Sequence, residues 1–282
     1  MNFKIGVKYV SCVVILFTIF SCGSSNNDKD SVVASDSLTT ITAEKDTSAQ
    51  KVFAAIPTPL ETADLLKKSG AKYNLNYLNS VDNVSKYSTA KSKALNLGVY
   101  GADLSFISMF DQTQESLLYL SCTNKLATGL GITNAFNDAT SERIEANMGN
   151  KDSLLAIISE SYNNAQSYLA SNGQKGVSAL MVAGGWIEGL SIAIQVASAT
   201  NNQAIMNKIA DQKTPLNNMI ALLEINKADY PGINEYLPNI KELQKIYESI
   251  PLSTDKIVAA LSKEQFKLIA DKTSEIRKKL IQ

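Results

Sequence analysis

The sequence predicts an all-α protein, a multi-helix bundle of about nine antiparallel helices. Apolar residues recur at steps of three and four along residues 151–172, which places them on one face of a helix. Helix start signals stand at Thr58-Pro59 and in the capping-box sequence Ser262 to Gln265. No stretch alternates with period two for long enough to predict a strand. Short connections between successive helices favour antiparallel neighbours.

The predicted helices follow one another from residue 59 to the end of the sequence. Thr58 and Pro59 begin the first, and Gly70 ends it because glycine readily adopts the positive φ of a helix C-terminus. The segment 176–199 is apolar on nearly every face, so we expect it at the centre of the bundle. The predicted segments are 59–69, 83–110, 111 or 113 to about 129, 133–148 with Thr133 as its N-cap, 151–172, 176–199, 202–226 with a restart at Thr214-Pro215, 240–250, and a final amphipathic helix from 263 onward.

Two of these segments carry a local sequence match. Residues 98–106 (GVYGADLSF) align with residues 184–192 (GGWIEGLSI) at an offset of 86, and glycine, aromatic, leucine and serine positions coincide. Two interpretations remain open. The match is either chance or the trace of a duplication, which would give two pseudo-repeated bundles packed around these helices.

The composition excludes several classes of protein. The 27 basic and 27 acidic residues balance, so the sequence has no electrostatic signature of a nucleic-acid partner. Histidine is absent, which excludes Ser-His-Asp and Cys-His catalysis and removes the usual zinc ligand. The three cysteines are Cys12, Cys22 and Cys122; with the first two in or beside the leader, Cys122 is left as a small buried apolar residue. We expect no cofactor, no metal site and no nucleic acid.

Residues 1–21 are predicted to be a lipoprotein signal peptide. Two lysines precede an apolar run over residues 9–20, which is too short to span a bilayer stably. The sequence Ile19-Phe20-Ser21-Cys22 that follows resembles the bacterial lipobox. The resemblance implies cleavage before Cys22 and lipidation of that cysteine. An ordinary secretory leader with a coincidental cysteine is the alternative.

The rest of the chain divides into a tether and a helical domain. Residues 22–50 are rich in Ser, Thr, Asn and Asp and have no helical period, which predicts a flexible tether after the acylated cysteine. Residues 51–282 form the predicted domain. Several acyl chains on Cys22 would hold that domain at a membrane. We therefore expect a lipid-anchored protein of the cell envelope, at the outer membrane, on its periplasmic or its surface face.

Glycines inside two predicted helices are the most unusual pattern in the domain. Each glycine in a helix interior costs about 1 kcal/mol relative to alanine, so something must offset it. Close crossing of two helices is one interpretation, and a wall that lets a ligand approach the backbone is the other. The glycines concerned are Gly98 and Gly101 in the first helix and Gly184, Gly185 and Gly189 in the second.

Two carboxylates lie in these apolar stretches. Asp103 and Glu188 must be paired, hydrogen-bonded or protonated if they are buried. The chain has two arginines; we expect Arg143 to pair with one of the two carboxylates inside the bundle, and Arg277, in the polar sequence SEIRKKL, to lie on a solvated face. A buried ion pair that fixes helix register, exposed helix ends and a ligand site are the interpretations left open. A ligand site would also draw on the sole tryptophan, Trp186, and on Tyr100.

Three hypotheses for function follow, and the sequence favours the first. The chain resembles the uncharacterised all-helical lipoproteins of Bacteroidetes-type bacteria, which implies an envelope location and no known reaction. The first hypothesis is a non-enzymatic binding or scaffolding lipoprotein, with the membrane and an envelope protein as partners. The second is a carboxylate-based hydrolase that uses Asp103 and Glu188, or a helical protein that binds a small ligand. The third is a structural protein that self-associates. No catalytic residue is assigned.

Overall fold

The helices of this protein are known from a computed structural model that describes residues 51–132, 138–147, 149–251 and 261–282. All of them belong to the second of two units in the chain, Thr42–Gln282. Several predictions concern residues outside the described ranges: the signal peptide 1–21, the lipidation site Cys22, the tether to residue 50, the Thr133 cap and the end of a helix at Met148.

Within the described residues the fold is all-α, as predicted, and no strand is present. Ten α-helices lie wholly within these ranges, with short 3-10 helices at Leu75–Tyr77, Val81–Lys86 and Pro231–Glu235. The α-helices are α1 (Pro59–Lys68), α2 (Ala90–Met109), α3 (Thr113–Gly129), α4 (Asp138–Ala146), α5 (Lys151–Ser171), α6 (Lys175–Thr200), α7 (Gln203–Ala210), α8 (Lys213–Asn226), α9 (Leu237–Glu248) and α10 (Lys263–Leu280).

Local capping explains most of the helix boundaries. Thr58 accepts a hydrogen bond from the Glu61 backbone N–H while the Glu61 side chain accepts from the Thr58 N–H, so the predicted start of α1 is confirmed. Ser262 and Gln265 form the same reciprocal cap at the start of α10, also as predicted.

The predicted extent of one helix is wrong, and the restart expected at Thr214-Pro215 within another is a full break in the structure. The single helix expected over 83–110 is a 3-10 helix followed by α2, because Thr89 caps a new helix with Ser92. The segment 202–226 is two helices, α7 and α8, with α7 ending before Asp211. This second break raises the number of helices from about nine to ten.

The apolar helix α6 lies at the centre, as predicted. It is long and apolar enough to cross a membrane by length and composition, with a mean hydropathy of 1.6, but all of that stretch is buried inside the protein. Around it pack α1, α2, α5, α7, α8 and α10, and α2 makes the most extensive contact of these. The composition of α6 is therefore that of a core helix.

The central pair, α2 and α6, crosses with the two backbones in contact. A Cβ atom on Gly98 would lie 1.9 Å from the Met181 carbonyl oxygen, and one on Gly184 would lie 2.0 Å from the Leu95 carbonyl oxygen. Neither position can hold a side chain. Close crossing, one of the two interpretations of the helical glycines, therefore applies to Gly98 and Gly184.

The residues that make these two close contacts are related by the same offset of 86 residues as the local sequence match. Gly98 and Gly184 are 86 residues apart, and so are Leu95 and Met181. Each glycine thus meets the residue one turn before its counterpart. This reciprocity is the arrangement expected of two repeats related by a two-fold axis, and the duplication itself stays a prediction.

The paired contacts also give the direction of the helices. Contacts advance together along α2 and α6, from Leu95 with Gly184 to Asp103 with Glu188, so the two helices are parallel. The antiparallel expectation is wrong for this pair, which three intervening helices separate in sequence. It holds for consecutive helices such as α2 and α3, where Ser108 hydrogen-bonds Ser116 near the turn and Lys93 at the start of α2 donates to the Gly129 carbonyl at the end of α3.

Candidate functional site

A buried charged cluster lies beside the α2–α6 crossing. Glu188 of α6 accepts two hydrogen bonds from Arg277 of α10, from Nε at 2.7 Å and from Nη2 at 2.6 Å. The Glu188 side chain is 0% exposed and that of Arg277 is 17% exposed. This bidentate geometry uses both carboxylate oxygens, and it is one that lysine cannot reproduce.

Asp103 of α2 completes the cluster and is fully buried. Its Oδ2 accepts a hydrogen bond from the Asn79 backbone N–H at 3.2 Å. Its Oδ1 has no hydrogen-bond donor among the described residues. Burial raises the pKa of Asp103 well above its ordinary value, and the neighbouring Glu188 carboxylate raises it further, against the opposing effect of Arg277.

The cluster therefore combines one ion pair with a second carboxyl group whose pKa is raised. Two carboxylates face a single guanidinium, and the bidentate contact assigns its charge to Glu188. Burial and the adjacent Glu188 carboxylate both favour the protonated form of Asp103, and in that form its side chain would be a hydrogen-bond donor beside Glu188. Burial lowers the pKa of Arg277, but the combined interactions with Glu188, Asp103 and Tyr87 outweigh it and raise that pKa above its usual value.

Polar groups from the segment before α2 enclose the cluster. The Tyr77 carbonyl accepts from Arg277 Nη2 at 3.3 Å. The Asn79 carbonyl accepts from the Tyr119 hydroxyl at 2.8 Å, and the Asn79 side-chain amide donates to the Tyr87 hydroxyl at 3.0 Å. Tyr87 in turn donates to the Ile281 carbonyl at 3.3 Å, which ties the end of the chain to this segment.

Tyr100, a predicted site residue, lies in the aromatic layer around the cluster. Its ring is fully buried and meets the Tyr119 ring edge-on at a centroid distance of 5.9 Å. Its hydroxyl donates to the Ser80 carbonyl at 2.7 Å. Burial raises its pKa, so this phenol is a neutral structural donor in the folded protein.

The predicted pairing of Arg143 is wrong. Arg143 lies on α4 and donates to Glu160 of α5 at 3.0 Å, where both side chains are about half exposed. Arg277, which was expected on a solvated face, is the arginine that pairs inside the bundle. A signal for it was present in the sequence, since Arg277 continues the i+4 row of Ile269 and Thr273, both buried.

The residues that sequence reasoning missed are those contributed by irregular backbone. Tyr77 ends one 3-10 helix, Asn79 lies between it and the next, and both contact the cluster through backbone groups. Backbone donors and acceptors carry no signature of residue type, so nothing in the pattern marks them. Tyr87 is a candidate only once the fold places it opposite the end of the chain.

The two carboxyl groups of the cluster are closed off from solvent. Both carboxyl groups have no exposed surface, and both are committed to internal partners. A carboxylate-based hydrolase would need at least one of them in contact with its substrate. In the described part of the chain no group of three or more metal-ligating side chains comes together.

A pocket on the other side of α6 contains Trp186. It has a volume of about 380 Å³ and lies between α1, α6, α7 and the turn formed by residues 54–57. Trp186 is 5% exposed and donates its indole N–H to Gln212 Oε1 at 3.2 Å. Gly189 lets α1 approach the floor, since a Cβ there would lie 3.1 Å from the Thr62 methyl carbon.

The predicted site residues thus separate into two places. Asp103 and Glu188 meet in the buried cluster with Tyr100 packed nearby, whereas Trp186 lies in the pocket and Arg143 on the surface. Trp186 is the residue that the offset of 86 matches to Tyr100. The two matched aromatics therefore lie in different environments, one in a closed polar cluster and one beside an open apolar pocket.

Over the residues that the structure describes, the fold and these two places define an all-α multi-helix protein with a buried charged cluster and an apolar pocket beside its sole tryptophan. Comparison of the chain with protein-family models, curated proteins and solved structures finds no match.

Proposed function

We propose that this protein is a lipid-anchored component of the bacterial cell envelope that acts by binding and not by catalysis. The observation that carries the proposal is that the charged cluster is closed to solvent whereas the apolar Trp186 pocket is open to it. The only two carboxylates that the sequence offered for catalysis, Asp103 and Glu188, are enclosed and internally paired. The Trp186 pocket, by contrast, is bordered by the exposed residues Glu61 and Lys208 and so opens to solvent.

The anchor rests on the lipobox-like sequence that ends at Cys22. Several acyl chains on one cysteine hold a folded domain at a bilayer almost permanently, because each buried methylene contributes about 0.8 kcal/mol. The tether of residues 23–50 would let the domain stand away from the membrane and meet a ligand or partner.

Metabolic labelling with an alkyne fatty acid tests the anchor. We expect label on the native protein, none on Cys22→Ser, and release of that variant from the membrane fraction. Cys122→Ser is the matched control, because it removes a buried thiol and should keep both the label and the membrane location. Label that persists on Cys22→Ser, or is absent from the native protein, would reject the anchor.

Purification from detergent-solubilised envelopes tests the binding role. We expect the native lipoprotein to carry either one stoichiometric partner, identified on a gel, or one extractable small molecule, identified by mass spectrometry. Recovery of further copies of the chain alone would favour a structural role through self-association. Repeated recovery of nothing but the single chain would contradict the binding proposal.

A further inference from the structure

We propose that the Trp186 pocket binds a compact, uncharged molecule of hydrocarbon character; this inference rests on the proposed binding function and names its ligand class. The pocket volume of about 380 Å³ is near the lower end of the range of roughly 300–1,000 Å³ seen for small-molecule sites. Its size therefore limits the occupant to a small molecule or to one end of a longer apolar chain.

The charges at the mouth of the pocket favour a neutral occupant. Glu61 and Lys208 are the two charged residues that line it, and they have opposite sign. The Glu61 carboxylate accepts the Thr58 backbone N–H at 2.7 Å as part of the cap of α1. The Lys208 ammonium lies 3.6 Å from the Asp211 carboxylate. Neither charge needs a counterion from a ligand.

The uncharged polar side chains of the pocket are also occupied. Trp186 donates to Gln212 Oε1, and Gln212 Nε2 donates to the Lys208 carbonyl at 3.2 Å. The Thr62 hydroxyl donates to the Thr58 carbonyl at 3.1 Å. A polar ligand group would lose its water on entry and would meet only side chains that already have a partner within the protein, so polar ligands are disfavoured.

The remaining lining is apolar and fixed in place. Leu66, Leu190 and Ile209 are buried and packed in the core, so their pocket-facing atoms need no rearrangement. The hydrogen bond to Gln212 holds the indole of Trp186, and Gly189 beside it contributes no side chain. An apolar molecule that enters a preformed apolar cavity buries surface without the entropy cost of ordering the protein side chains around it.

The sole tryptophan makes the inference testable by energy transfer. The protein to use is the mature chain, residues 22–282 with Cys22→Ser, which lacks both the acyl chains and the apolar run of residues 9–20 and so needs no detergent; micelles would compete for an apolar probe. The probe is N-phenylnaphthylamine, and its charged analogue is anilinonaphthalene sulfonate, which has the same ring skeleton. We expect one equivalent of the neutral probe to bind with tryptophan-sensitised emission, and the sulfonate to bind at least about tenfold more weakly.

Two variants locate the probe. Ala193→Phe fills the pocket and should weaken binding at least about tenfold, whereas the matched Ala170→Phe, in a separate surface depression beside Gln166, should leave it unchanged. Trp186→Phe should keep the probe bound but abolish the sensitised emission, so the location does not depend on the folding of Ala193→Phe. Equal affinity for both probes, or binding without sensitised emission in the chain that retains Trp186, would overturn the inference.

The outcome separates this inference from the proposed function. If the native protein is acylated and carries a stoichiometric protein partner but the Cys22→Ser chain binds no neutral probe, the ligand class is wrong and the binding function stands. If the probe binds as expected but the native protein is neither acylated nor held at the membrane, the pocket stands and the envelope role fails.

Discussion

Arg277 of the last helix holds Glu188 of the central helix in a two-pronged ion pair that is almost fully enclosed. Truncating the arginine leaves a buried carboxylate without its counterion, which typically costs about 3–5 kcal/mol. We therefore expect Arg277→Met to lower the free energy of unfolding by about that amount, measured by urea titration at neutral pH.

The other arginine of the chain provides the control for this change. Arg143→Met removes a half-exposed pair with Glu160 and should cost no more than about 1 kcal/mol. Replacing both partners, in Arg277→Met with Glu188→Leu, should recover much of the stability lost in the single variant, because no buried charge remains. Equal losses for Arg277→Met and Arg143→Met would contradict the enclosed ion pair.

The raised pKa of Asp103 predicts an unusual dependence of stability on pH. The folded chain holds that proton to higher pH than the unfolded chain does. The resulting stabilisation is complete below pH ~4, and is lost by about 1.4 kcal/mol per pH unit as the pH rises toward the folded-state pKa. Asp103→Asn keeps a neutral donor and acceptor there and removes this loss.

The measurement is the difference in unfolding free energy between Asp103→Asn and the native protein across the pH range. It should move in favour of the variant as the pH rises from acid toward neutrality. Effects of other carboxylates cancel in the difference. Asp271→Asn, at an exposed pair with Lys267, should not reproduce the trend. A flat difference for Asp103→Asn would show that Asp103 is ionised in the folded protein.

The backbone contact between α2 and α6 predicts that even an alanine at either contacting glycine will strongly destabilise the protein. Gly98→Ala and Gly184→Ala would each place a methyl group within about 2 Å of a carbonyl oxygen. Because backbone and not a flexible side chain stands in the way, each should cost about 3 kcal/mol or more in thermal or urea unfolding. Gly149→Ala meets nothing within 4 Å and should be close to neutral. Near-neutral behaviour at positions 98 and 184 would contradict the crossing.

Cys122 should behave as an inert thiol in the native protein. It is buried on α3, and burial raises the pKa of its thiol to about 11. A disulfide reagent near pH 8 should therefore modify it only as fast as the chain opens, and denaturant should accelerate the reaction. The control is Leu118→Cys in a Cys122→Ala background, since Leu118 is 56% exposed one turn earlier. Equally fast modification of both thiols would contradict the burial.

The sequence predicted the fold wherever a local signal determines it. Thr58 and Ser262 cap helices through residues three positions ahead, so their roles are legible in the sequence. The apolar composition of α6 likewise predicts its central position. The prediction failed at residues 81–89, where a helical pattern continues but Thr89 caps a new helix and Asn79 hydrogen-bonds a residue of α2.

The candidate site was predictable in part for the same reason. Asp103 and Glu188 stand out as charges in apolar stretches, which makes their burial an inference from composition. Their partner was not predictable in this way, because Arg277 stands in a polar stretch and its burial depends on how α10 docks. The Trp186 pocket is formed where α1, α6 and α7 pack together. These helices are distant in sequence, so no local sequence pattern predicts the pocket.

The contact between Gly98 and Gly184 and their opposite carbonyls has a mechanical consequence. Two helices whose main chains touch cannot easily slide by a residue, because a shift of α2 would replace Gly98 in the contact by its bulkier neighbour Leu97 or Val99. The central pair therefore serves as a rigid spine. A conformational change on ligand binding would therefore involve the helices packed around this pair. We expect α1 and α7, which border the Trp186 pocket, to move first.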